Sequence, residues 1–519
     1  MSTMSWKLLL LTFFSLSTAC HAYKILAFLP FPSNSHHAIF LGLIKVLADR
    51  GHQITYYTPI EPTVAHPNIT LRLTPNYKDE FLKEMNLMDL SSASVPGVSH
   101  ILARTAIRFT EHYYANPIAQ EIIHSSDQYD AILMESYFNQ EPVSALVHKF
   151  GCVGIEISSL GDSAWINEFS GITHNPAYQV DFKSELSQDM TILEKIYNVY
   201  SIASTLVVSY FHMYSMKGIM DKYFNYTGWE TRPSMHTLVA NRSLILVNSD
   251  PVLSYPYPTA PHVKNIAGLN LMPNKPLPKD LQTFMDEAKD GVIYFSFGSN
   301  LKSSDVLGGA KGRAFMKAFE SMPQRVLMKL ESDLPDVKIP ANVRTGKWFP
   351  QRDILAHKNC VLFITHGGFL SMTETVHYGV PIVGIPFFSD QFKNMLHAQT
   401  MGYGLYIRYE NITDESVSWA LNEITKNPSY REVVKQKSRM LRDRMHTIQE
   451  EAIYWVEYAI KYPNSLTPRS AFLTFWEKRI FDVGTFFILT IVLVYIVLQL
   501  LKTTIRKSKQ VSVKKEKQS

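Results

Sequence analysis

Cysteine is scarce in this sequence, with three residues among 519. Cys20 lies in an N-terminal segment that we expect to be removed. Cys152 and Cys360 stand at the starts of predicted strands in different halves of the chain. The sequence therefore predicts two buried free thiols and excludes a fold that is held together by disulfides.

The sequence also lacks the patterns of a metal site and of a nucleic-acid-binding surface. No Asp-x-Asp pair lies between apolar strands, and no His/Cys group has ligand spacing, so we expect no metal and no other cofactor. The formal net charge is +5. Residues 502–519 alone carry a net charge of +6, from seven Lys or Arg against one Glu. The rest of the chain is close to neutral, which argues against a nucleic-acid partner.

The N-terminal end has the pattern of a secretory signal. Lys7 precedes the apolar stretch from Leu8 to Leu16, and the small residue Ala22 comes just before Tyr23. This order predicts a cleavable signal peptide over residues 1–22. Four Asn-x-Ser/Thr triplets are candidate N-glycosylation sites on such a secretory chain: Asn68, Asn225, Asn241 and Asn411.

The C-terminal end predicts one membrane span. The uncharged run from Val483 to Leu501 is long enough to cross a hydrocarbon core of about 30 Å, so we predict a transmembrane helix over residues 481–501. The alternative is a buried helix. The basic tail at residues 502–519 should stay cytoplasmic, and its last lysines resemble a dilysine retrieval signal. We therefore expect a single-pass type I protein of the endoplasmic reticulum membrane, with its body in the lumen.

The N-terminal half begins with a strand–helix–strand pattern. An apolar strand starts at Tyr23, a helix with one apolar face ends at Gly51, and a second strand covers Gln53–Thr58. Repetition of this pattern predicts a parallel sheet. His36 lies in the first strand-to-helix loop and Glu135 closes a later strand. Both are therefore expected at the carboxyl edge of the sheet, where binding crevices form.

The most informative run of the sequence extends from residue 363 to residue 391. A buried strand passes through His366, Gly367 and Gly368 into a segment with helical spacing. Two glycines let the backbone approach a ligand closely, and the first amides of the helix are unpaired donors that suit a phosphate. Glu374, one turn into the helix, could accept hydrogen bonds from ribose hydroxyls, and the next apolar strand ends before Asp390.

Two further strand ends in this half carry suitable polar groups. The strand from Val292 leads into Gly298 and Ser299, whose loop donors can approach a phosphate. Farther along, Trp348 offers a flat face for a base, and Gln351 has both a donor and an acceptor for its edge or for a ribose. A proline-rich stretch before this half predicts a linker.

These residues resemble the signature of the UDP-glycosyltransferase family, the membrane-bound enzymes that conjugate sugars to small lipophiles. The match includes Thr-His-Gly-Gly, Glu374, Gly-Val-Pro, a second proline and Asp-Gln, and it extends over nearly the full length, with details most like the invertebrate branch. The resemblance implies an α/β GT-B fold of two facing doubly wound Rossmann-like domains, followed by one transmembrane helix. The implied units are an acceptor-binding domain (23–250), a linker (251–285) and a UDP-sugar-binding domain whose last helices pack back on the first domain (286–480).

By the same resemblance, His36 is the general base and Glu135 takes the place of the family's orienting aspartate. The chemistry agrees, because an imidazole with a pKa near 6.5 can take a hydroxyl proton, and such a base needs an orienting acceptor. Glu135 is one methylene longer than the family's aspartate. The alternatives are a helix-capping role for His36, a catalytic role for the neighbouring His37, and a surface-loop carboxylate at Glu135.

On the donor side, the resemblance assigns the diphosphate, ribose, sugar and uracil contacts to nine residues: Ser299, His366, Gly368, Ser371, Glu374, Asp390, Gln391, Trp348 and Gln351. Two positions depart from the family pattern. Leu370 replaces an asparagine that many relatives carry, and Tyr257 stands where glucuronosyl enzymes have an arginine. Loss of that cation disfavours an acidic sugar, so UDP-glucose is the expected donor.

The sequence thus predicts inverting transfer of a hexose from a UDP-sugar to a hydroxyl of a small lipophilic acceptor, giving a β-glycoside in a detoxifying conjugation. Alternatives are glucuronosyl, xylosyl or galactosyl transfer, a catalytically idle membrane protein that binds lipophiles or UDP-sugars, and a glycolipid or protein-glycan transferase. The acceptor's identity and homo-oligomer formation stay open. An aromatic and aliphatic segment from Met190 to Met216 fits core packing, an acceptor-pocket wall or a helix lying on the membrane.

Overall fold

The computed structural model describes residues 22–62, 65–85, 93–135, 140–161, 163–335 and 337–516. All but one residue of the predicted signal peptide therefore lie outside the described residues. Within them the chain forms two parallel α/β sheets in succession, one in each half, followed by a long C-terminal helix.

The first sheet has seven parallel strands in the order β3-β2-β1-β4-β5-β6-β7. The order reverses between β1 and β4, so the crevice of a doubly wound sheet lies at their carboxyl ends. The strands are β1 (Lys24–Phe28), β2 (Gln53–Thr58), β3 (Ile69–Leu73), β4 (Ala131–Met134), β5 (Val153–Ser158), β6 (Leu244–Val247) and β7 (Val263–Asn265).

Helices cover this sheet on both faces, and their apolar residues form two buried clusters with the strands. They are α1 (Asn34–Asp49), α2 (Lys78–Met85), α3 (Val95–Ala115), α4 (Pro117–His124), α5 (Ala145–Phe150), α6 (Ala164–Ser170), α7 (Ile192–Tyr223) and α8 (Met235–Ala240). Short 3₁₀ turns occupy Glu141–Ser144 and Trp229–Thr231.

The second sheet has six parallel strands in the order β10-β9-β8-β11-β12-β13. Its strands are β8 (Val292–Ser296), β9 (Arg325–Lys329), β10 (Val343–Gly346), β11 (Cys360–Thr365), β12 (Ile382–Gly384) and β13 (Gly404–Tyr406). The order reverses between β8 and β11, so the second crevice lies at the ends of these two strands.

The helices of the second half lie on both faces of this sheet, again with two apolar clusters. They are α9 (Lys279–Asp286), α10 (Ser303–Val306), α11 (Gly309–Glu320), α12 (Gln351–Leu355), α13 (Phe369–Tyr378), α14 (Gln391–Thr400), α15 (Asp414–Lys426), α16 (Pro428–Arg442), α17 (Ile448–Lys461), α18 (Phe475–Lys478) and α19 (Phe481–Glu516). The 3₁₀ turns are Tyr409–Asn411 and Arg469–Phe472.

The structure confirms the predicted architecture of two doubly wound domains and adjusts several bounds. The apolar strand expected to end before Asp390 is regular only over β12. The predicted linker contains β7, which pairs with β6 and closes the edge of the first sheet. A proline-rich composition did not reveal this strand of three residues.

The chain returns to its first domain after completing the second. On α17, the buried residues Ile448, Ala452 and Val456 join the apolar cluster formed by β1, β4 and α1. Arg444 forms an ion pair with Asp250 where the two domains are connected. The last helices before the membrane segment therefore fasten the second domain to the first.

The helix α19 contains the apolar segment predicted to cross a membrane. Its uncharged part is long and apolar enough to do so, and its side chains are exposed throughout that part. The helix continues through the basic tail to Glu516. Cys152 and Cys360 are both unpaired in the described part of the chain, Cys360 being buried and Cys152 half-buried.

Candidate active site

The carboxyl edge of the first sheet brings His36 and Glu135 together. Because β1 and β4 are paired in the sheet, the loop after β1 and the residue after β4 lie side by side. His36 stands in the first turn of α1, and its Nδ1 lies 2.6 Å from Glu135 Oε2. Two residues that are 99 positions apart in the sequence thus form a buried hydrogen-bonded pair.

A backbone amide fixes the orientation of the Glu135 carboxylate. Its Oε1 accepts a hydrogen bond of 3.1 Å from the amide of Ser159, which follows β5, and the residue is only 1% exposed. A carboxylate is an acceptor, so His36 donates from Nδ1–H. This tautomer puts the lone pair, which is the basic site of a neutral imidazole, on Nε2. A carboxylate that is placed in this way can stabilise the imidazolium formed when Nε2 takes a proton.

The neighbouring His37 faces the interior. Its Nε2–H donates to the carbonyl of Phe31 over 2.8 Å, and its Nδ1 meets the hydroxyls of Tyr56 and Thr58. Burial lowers the pKa of His37 to about 3, so the ring is neutral. His37 therefore shapes the loop after β1, and only His36 of the adjacent pair faces the carboxylate.

An apolar pocket opens beside His36. The ring of Phe31 packs against the imidazole at 5.0 Å between centroids. Phe31 also lines the pocket, together with Pro30, Pro32, Phe81, Phe109, Thr110, Tyr113 and Gln140. Phe388 of the second domain packs on the same aromatic cluster. The pocket is therefore largely apolar, and through Phe31 it adjoins the His36 imidazole on one side.

The donor side is built around His366, which follows β11. Its ring lies between two glycines: a Cβ on Gly368 would come within 2.6 Å of Nε2, and one on Gly298 within 2.7 Å of Cε1. Gly298 also has a φ of +82°, which disfavours any other residue there. Gly368, one of the two glycines predicted to let a ligand approach, therefore also makes room for this imidazole, together with Gly298.

One ring nitrogen of His366 has no hydrogen-bond partner within the described part of the protein. Its Nδ1 is buried without a hydrogen-bond partner among the described residues. Burial, with a smaller effect from Lys329, lowers the pKa of His366 to about 4, so the ring is neutral. A buried polar atom without a partner is costly, and a phosphate oxygen bound here would supply one.

The helix α13 begins at this point with Gly368 as its N-cap residue, which has no side chain to cap the helix. Amides at a helix N-terminus have no partner within the helix and suit an anion, and the first of them, that of Phe369, meets the Asp390 carboxyl group. Ser371 in its first turn is buried, and its hydroxyl lies 3.4 Å from Gln351 Nε2. The amides and this hydroxyl form the anion-binding end of the second crevice.

Glu374 lies one turn farther along α13 and meets the start of α12. The Gln351 amide donates to Glu374 Oε2 over 2.6 Å. Burial nevertheless raises the pKa of Glu374 to about 7. The structure thus brings Glu374 and Gln351 together beside the anion-binding end. Trp348, the predicted uracil platform, is 72% exposed and precedes α12 by three residues.

Asp390 and Gln391 begin α14 on the other side. Asn394 donates to Asp390 Oδ2 over 2.7 Å and to the Gly367 carbonyl over 2.9 Å, which ties this turn to the glycine loop. Burial raises the pKa of Asp390 to about 6. The side-chain oxygen of Gln391 accepts hydrogen bonds from the amides of Phe387 and Phe388, and it thereby fixes the segment that leads into α14.

Two lysines that the sequence did not single out lie at the edge of the anion-binding end. Lys329, at the end of β9, donates to the Gly298 carbonyl over 2.7 Å. Lys78, the first residue of α2 in the other domain, donates to the Ser299 carbonyl over 3.1 Å. Ser299 is itself exposed. A lysine in the N-terminal half carries no sequence signal that relates it to a loop 221 residues away.

The structure also shows the surroundings of Leu370, which departs from the family pattern, and of the four candidate N-glycosylation sites. Leu370, in place of an asparagine, packs against the apolar cluster of the first domain. Among the candidate sequons, Asn225 and Asn411 are exposed, whereas the Asn68 amide donates to the Ala48 carbonyl over 2.9 Å and the Asn241 amide oxygen accepts from Asn464. The described residues contain no group of three or more His, Cys, Asp or Glu side chains that could hold a metal.

Comparison with known proteins supports the fold and the family. The chain is 30% identical over 497 residues to a UDP-glucosyltransferase of Dactylopius coccus, with 94% of each chain covered. It is 28% identical over 494 residues to the human 2-hydroxyacylsphingosine 1-beta-galactosyltransferase, covering 92% of this chain and 87% of that protein. A UDP-glucosyltransferase structure from Polygonum tinctorium has 14% identity and a TM-score of 0.53, covering 86% of this chain and 100% of that one.

A family model described as UDP-glucoronosyl and UDP-glucosyl transferase matches residues 28–518, almost the whole chain. The similar structures are GT-B glycosyltransferases, which confirms the predicted GT-B fold. The family match likewise confirms the resemblance that was seen in the run from residue 363 to residue 391. The chain therefore belongs to the UDP-glycosyltransferase family.

Proposed function

We propose that this UDP-glycosyltransferase moves a hexose, and specifically glucose, from its UDP donor to a hydroxyl of a small lipophilic acceptor. The observation that carries the proposal is the buried pair of His36 and Glu135, 2.6 Å apart, beside an apolar pocket that faces the donor domain. A base, a lipophilic binding surface and an anion-binding loop are the parts that such a transfer requires.

In this mechanism the acceptor hydroxyl gives its proton to His36 Nε2 as its oxygen attacks the anomeric carbon of the sugar. The bond from that carbon to the diphosphate oxygen breaks, and its electron pair leaves with UDP. Attack opposite the departing group inverts an α-linked donor to a β-glycoside. Glu135 stabilises the imidazolium, which then loses its proton to solvent. A positioned base of this kind contributes about 10² to 10⁴ in rate.

The departing diphosphate needs compensation of its negative charge. The first amides of α13 point at the site and carry the positive end of the helix dipole. The neutral side chain of His366 supplies a hydrogen-bond donor, and Ser371 supplies a second. Lys78 adds positive charge at the edge of the loop, and Lys329, which is paired with Glu331, donates to the Gly298 carbonyl. We propose that these groups act without a metal ion.

The sugar contacts are proposed for Asp390 and Gln391, and the ribose contact for Glu374. Burial raises the pKa values of both carboxyl groups. Sugar or ribose hydroxyls that donate to these groups would favour their ionised forms. The hydroxyls of the donor would thus become hydrogen-bond partners of these carboxyl groups.

The donor sugar is the finer part of the proposal. Similar proteins include an insect glucosyltransferase and a human galactosyltransferase, at nearly equal identity. Tyr257 in place of an arginine disfavours the acidic sugar of glucuronosyl transfer, and glucose fits both that loss and the insect relatives. Galactose is the second candidate.

We further propose that α19 spans the endoplasmic reticulum membrane and holds the body of the enzyme in the lumen. The helix is long and apolar enough, and its exposed apolar side chains need a non-aqueous surrounding. The basic residues that follow favour a cytoplasmic tail. Exposed sequons at Asn225 and Asn411 fit a lumenal body, and a conjugating, detoxifying role fits the apolar pocket.

The proposal is tested by mass spectrometry of conjugates formed by the full chain in membranes. UDP-glucose, UDP-galactose, UDP-xylose and UDP-glucuronic acid compete over phenol, flavonoid and steroid acceptors, with His36→Ala as the matched inactive control. We expect hexose conjugates from UDP-glucose alone. Conjugates from another sugar would replace the donor assignment, and folded protein that binds UDP but forms no conjugate would contradict the catalytic proposal.

A further inference from the structure

The long helix α7 exposes an apolar face at the surface of the protein. Its outward face carries a stripe at helical spacing of apolar and aromatic side chains, all exposed: Leu193, Ile196, Tyr200, Val207, Phe211 and Tyr214. Phe211 is 72% exposed and Tyr214 80%. From Ile196 to Phe211 the helix has no charged residue at all. A helix that faces water normally carries charged and polar groups on that side.

The inward face of the same helix is polar in its first half. The Asn198 amide donates to the carbonyls of Pro176 and Gln179, at 2.8 and 2.9 Å. Thr205 donates to the buried carboxylate of Asp181 over 2.7 Å, and Lys183 pairs with the same carboxylate. The protein body thus takes up these hydrogen-bonding residues, together with apolar residues such as Ile202 and Leu206, and leaves the apolar stripe outside. A contiguous exposed apolar surface of this kind marks an interaction site.

The position of the stripe indicates its partner. The ring of Tyr210, next to Phe211, lies 5.9 Å from that of Phe475 in α18, the short helix that precedes α19. The Tyr210 hydroxyl donates to Glu168, which also pairs with Lys478 and Arg479 at the end of α18. Ion pairs and a ring contact therefore fasten the middle of α7 to the point where the apolar helix α19 leaves the body.

We propose that the outward face of α7 lies in the interfacial layer of the lipid bilayer that α19 enters, as a second membrane contact of the enzyme. This inference rests on the proposed membrane anchoring by α19. The face extends over roughly 30 Å from Leu193 to Tyr214 at the rise of an α-helix. The exposed tyrosines of the stripe, Tyr200 and Tyr214, suit the boundary between acyl chains and headgroups, because the ring is apolar and the hydroxyl is polar.

The second contact has a consequence for the acceptor. The helix α3 packs along α7 and carries Phe109 and Tyr113 of the apolar pocket on its other side. One helix thus separates the lipid-facing stripe from the pocket beside His36. Acceptors dissolved in the bilayer would then be collected at the membrane surface close to the site that uses them.

The test uses the full chain in phosphatidylcholine nanodiscs, labelled with an environment-sensitive fluorophore at one introduced cysteine. Cys152 and Cys360 give little background, because burial raises the pKa of each thiol to about 12. The variant is Phe211→Cys. Met440→Cys, at an exposed apolar position of α16, is the matched control, and Leu493→Cys in α19 reports on the anchor. Emission is measured with a spin-labelled lipid and with aqueous iodide.

We expect the label at Phe211→Cys to lose emission to the lipid-borne quencher and to be shielded from iodide, with the reverse at Met440→Cys. Quenching by iodide alone at Phe211→Cys would overturn the inference, because the face would then lie in water. Shielding from both quenchers would also overturn it and indicate a second copy of the chain on this face. If the label at Leu493→Cys escaped the lipid quencher, the anchoring itself would fail. An intact anchor with an iodide-quenched α7 would reject the second contact alone.

Discussion

The cleft has two sides: the acceptor wall around His36 and Glu135, and the donor wall around His366 and the start of α13. They differ in how many of their polar groups are hydrogen-bonded within the protein. On the acceptor wall, His36 and Glu135 are paired and the second carboxylate oxygen is held by the Ser159 amide. On the donor wall, the N-cap residue of α13 is a glycine without a capping side chain, and His366 Nδ1 lacks a partner among the described residues. The acceptor wall is thus organised before any substrate binds, whereas the donor wall keeps polar groups that a bound diphosphate would satisfy.

The largest effect should come from removing the base on the organised wall. We expect His36→Ala to lower kcat by about 10² to 10⁴ while UDP binding stays unchanged, since the residue has no part in the donor wall. Turnover and UDP affinity are measured on the same preparation. His37→Ala is the matched control: it removes buried hydrogen bonds and should lower the melting temperature. A His36→Ala enzyme with wild-type turnover would remove His36 from the mechanism.

The orienting carboxylate should follow in size. In Glu135→Gln the amide no longer stabilises an imidazolium, and we expect kcat to fall by about 10², within the range that a base contributes. Glu135→Asp keeps the charge that the family's aspartate carries and should retain more activity than the glutamine variant. Equal losses in the two variants would indicate that Glu135 acts only by supporting the loop after β5.

A smaller effect is expected from crowding His366 on the donor wall. In Gly368→Ala the new Cβ would lie 2.6 Å from His366 Nε2, at a backbone φ of −61° that alanine accepts without strain. Displacement of the ring should raise KM for the UDP-sugar about tenfold, equivalent to roughly 1.4 kcal/mol. Gly308→Ala is the control, since nothing in the described chain lies within 4 Å of its Cβ. Equal KM values in both variants would exclude His366 from donor binding.

The carboxyl groups of the donor wall predict a moderate pH dependence. Burial raises the pKa of Glu374 to about 7 and that of Asp390 to about 6. A bound UDP-sugar favours the ionised forms, so binding should release protons near pH 6 and tighten as pH rises from 5.5 to about 7. Calorimetry in buffers of different ionisation enthalpy measures this release. Affinity that weakens with rising pH would show that the carboxyl groups bind the donor in their protonated forms.

The smallest expected effect is that of metal removal. The donor wall offers amides, a histidine and two lysines to the diphosphate, so turnover after treatment with EDTA should equal that of the untreated enzyme. The assay is repeated with added Mg²⁺ and Mn²⁺. A loss on chelation that either ion restores would contradict the proposed metal-free mechanism.

Much of the donor wall could be predicted because its residues are close together in the sequence. The loop at His366, Gly368 and Ser371 and the helix that carries Glu374 form one continuous strand–turn–helix unit. Its glycines and apolar strand define that geometry locally. Lys78 could not be found in this way, since its contact with Ser299 joins two domains.

The acceptor wall shows the limit of such reasoning. The sequence pattern placed both His36 and Glu135 at strand ends, but only the family resemblance favoured His36 over His37. Adjacent residues on a helix differ by about 100° in direction, and one of them points into the core. Only the packing of β2 against α1 decided that His37 meets Tyr56 and Thr58 while His36 meets the carboxylate.

The sequence by itself determined the family, the two-domain α/β fold, the donor loop and the apolar C-terminal helix, because local spacing and hydrophobic pattern specify each of them. Tertiary structure alone decided which histidine is paired, that β7 completes the first sheet from within the predicted linker, and which side of α7 is left outside. Each of these outcomes depends on contacts between segments far apart in the chain. An apolar side chain is stabilised by leaving water, whether it enters the protein core or a lipid bilayer. The apolar pattern of α7 therefore does not reveal which of the two surroundings its residues meet.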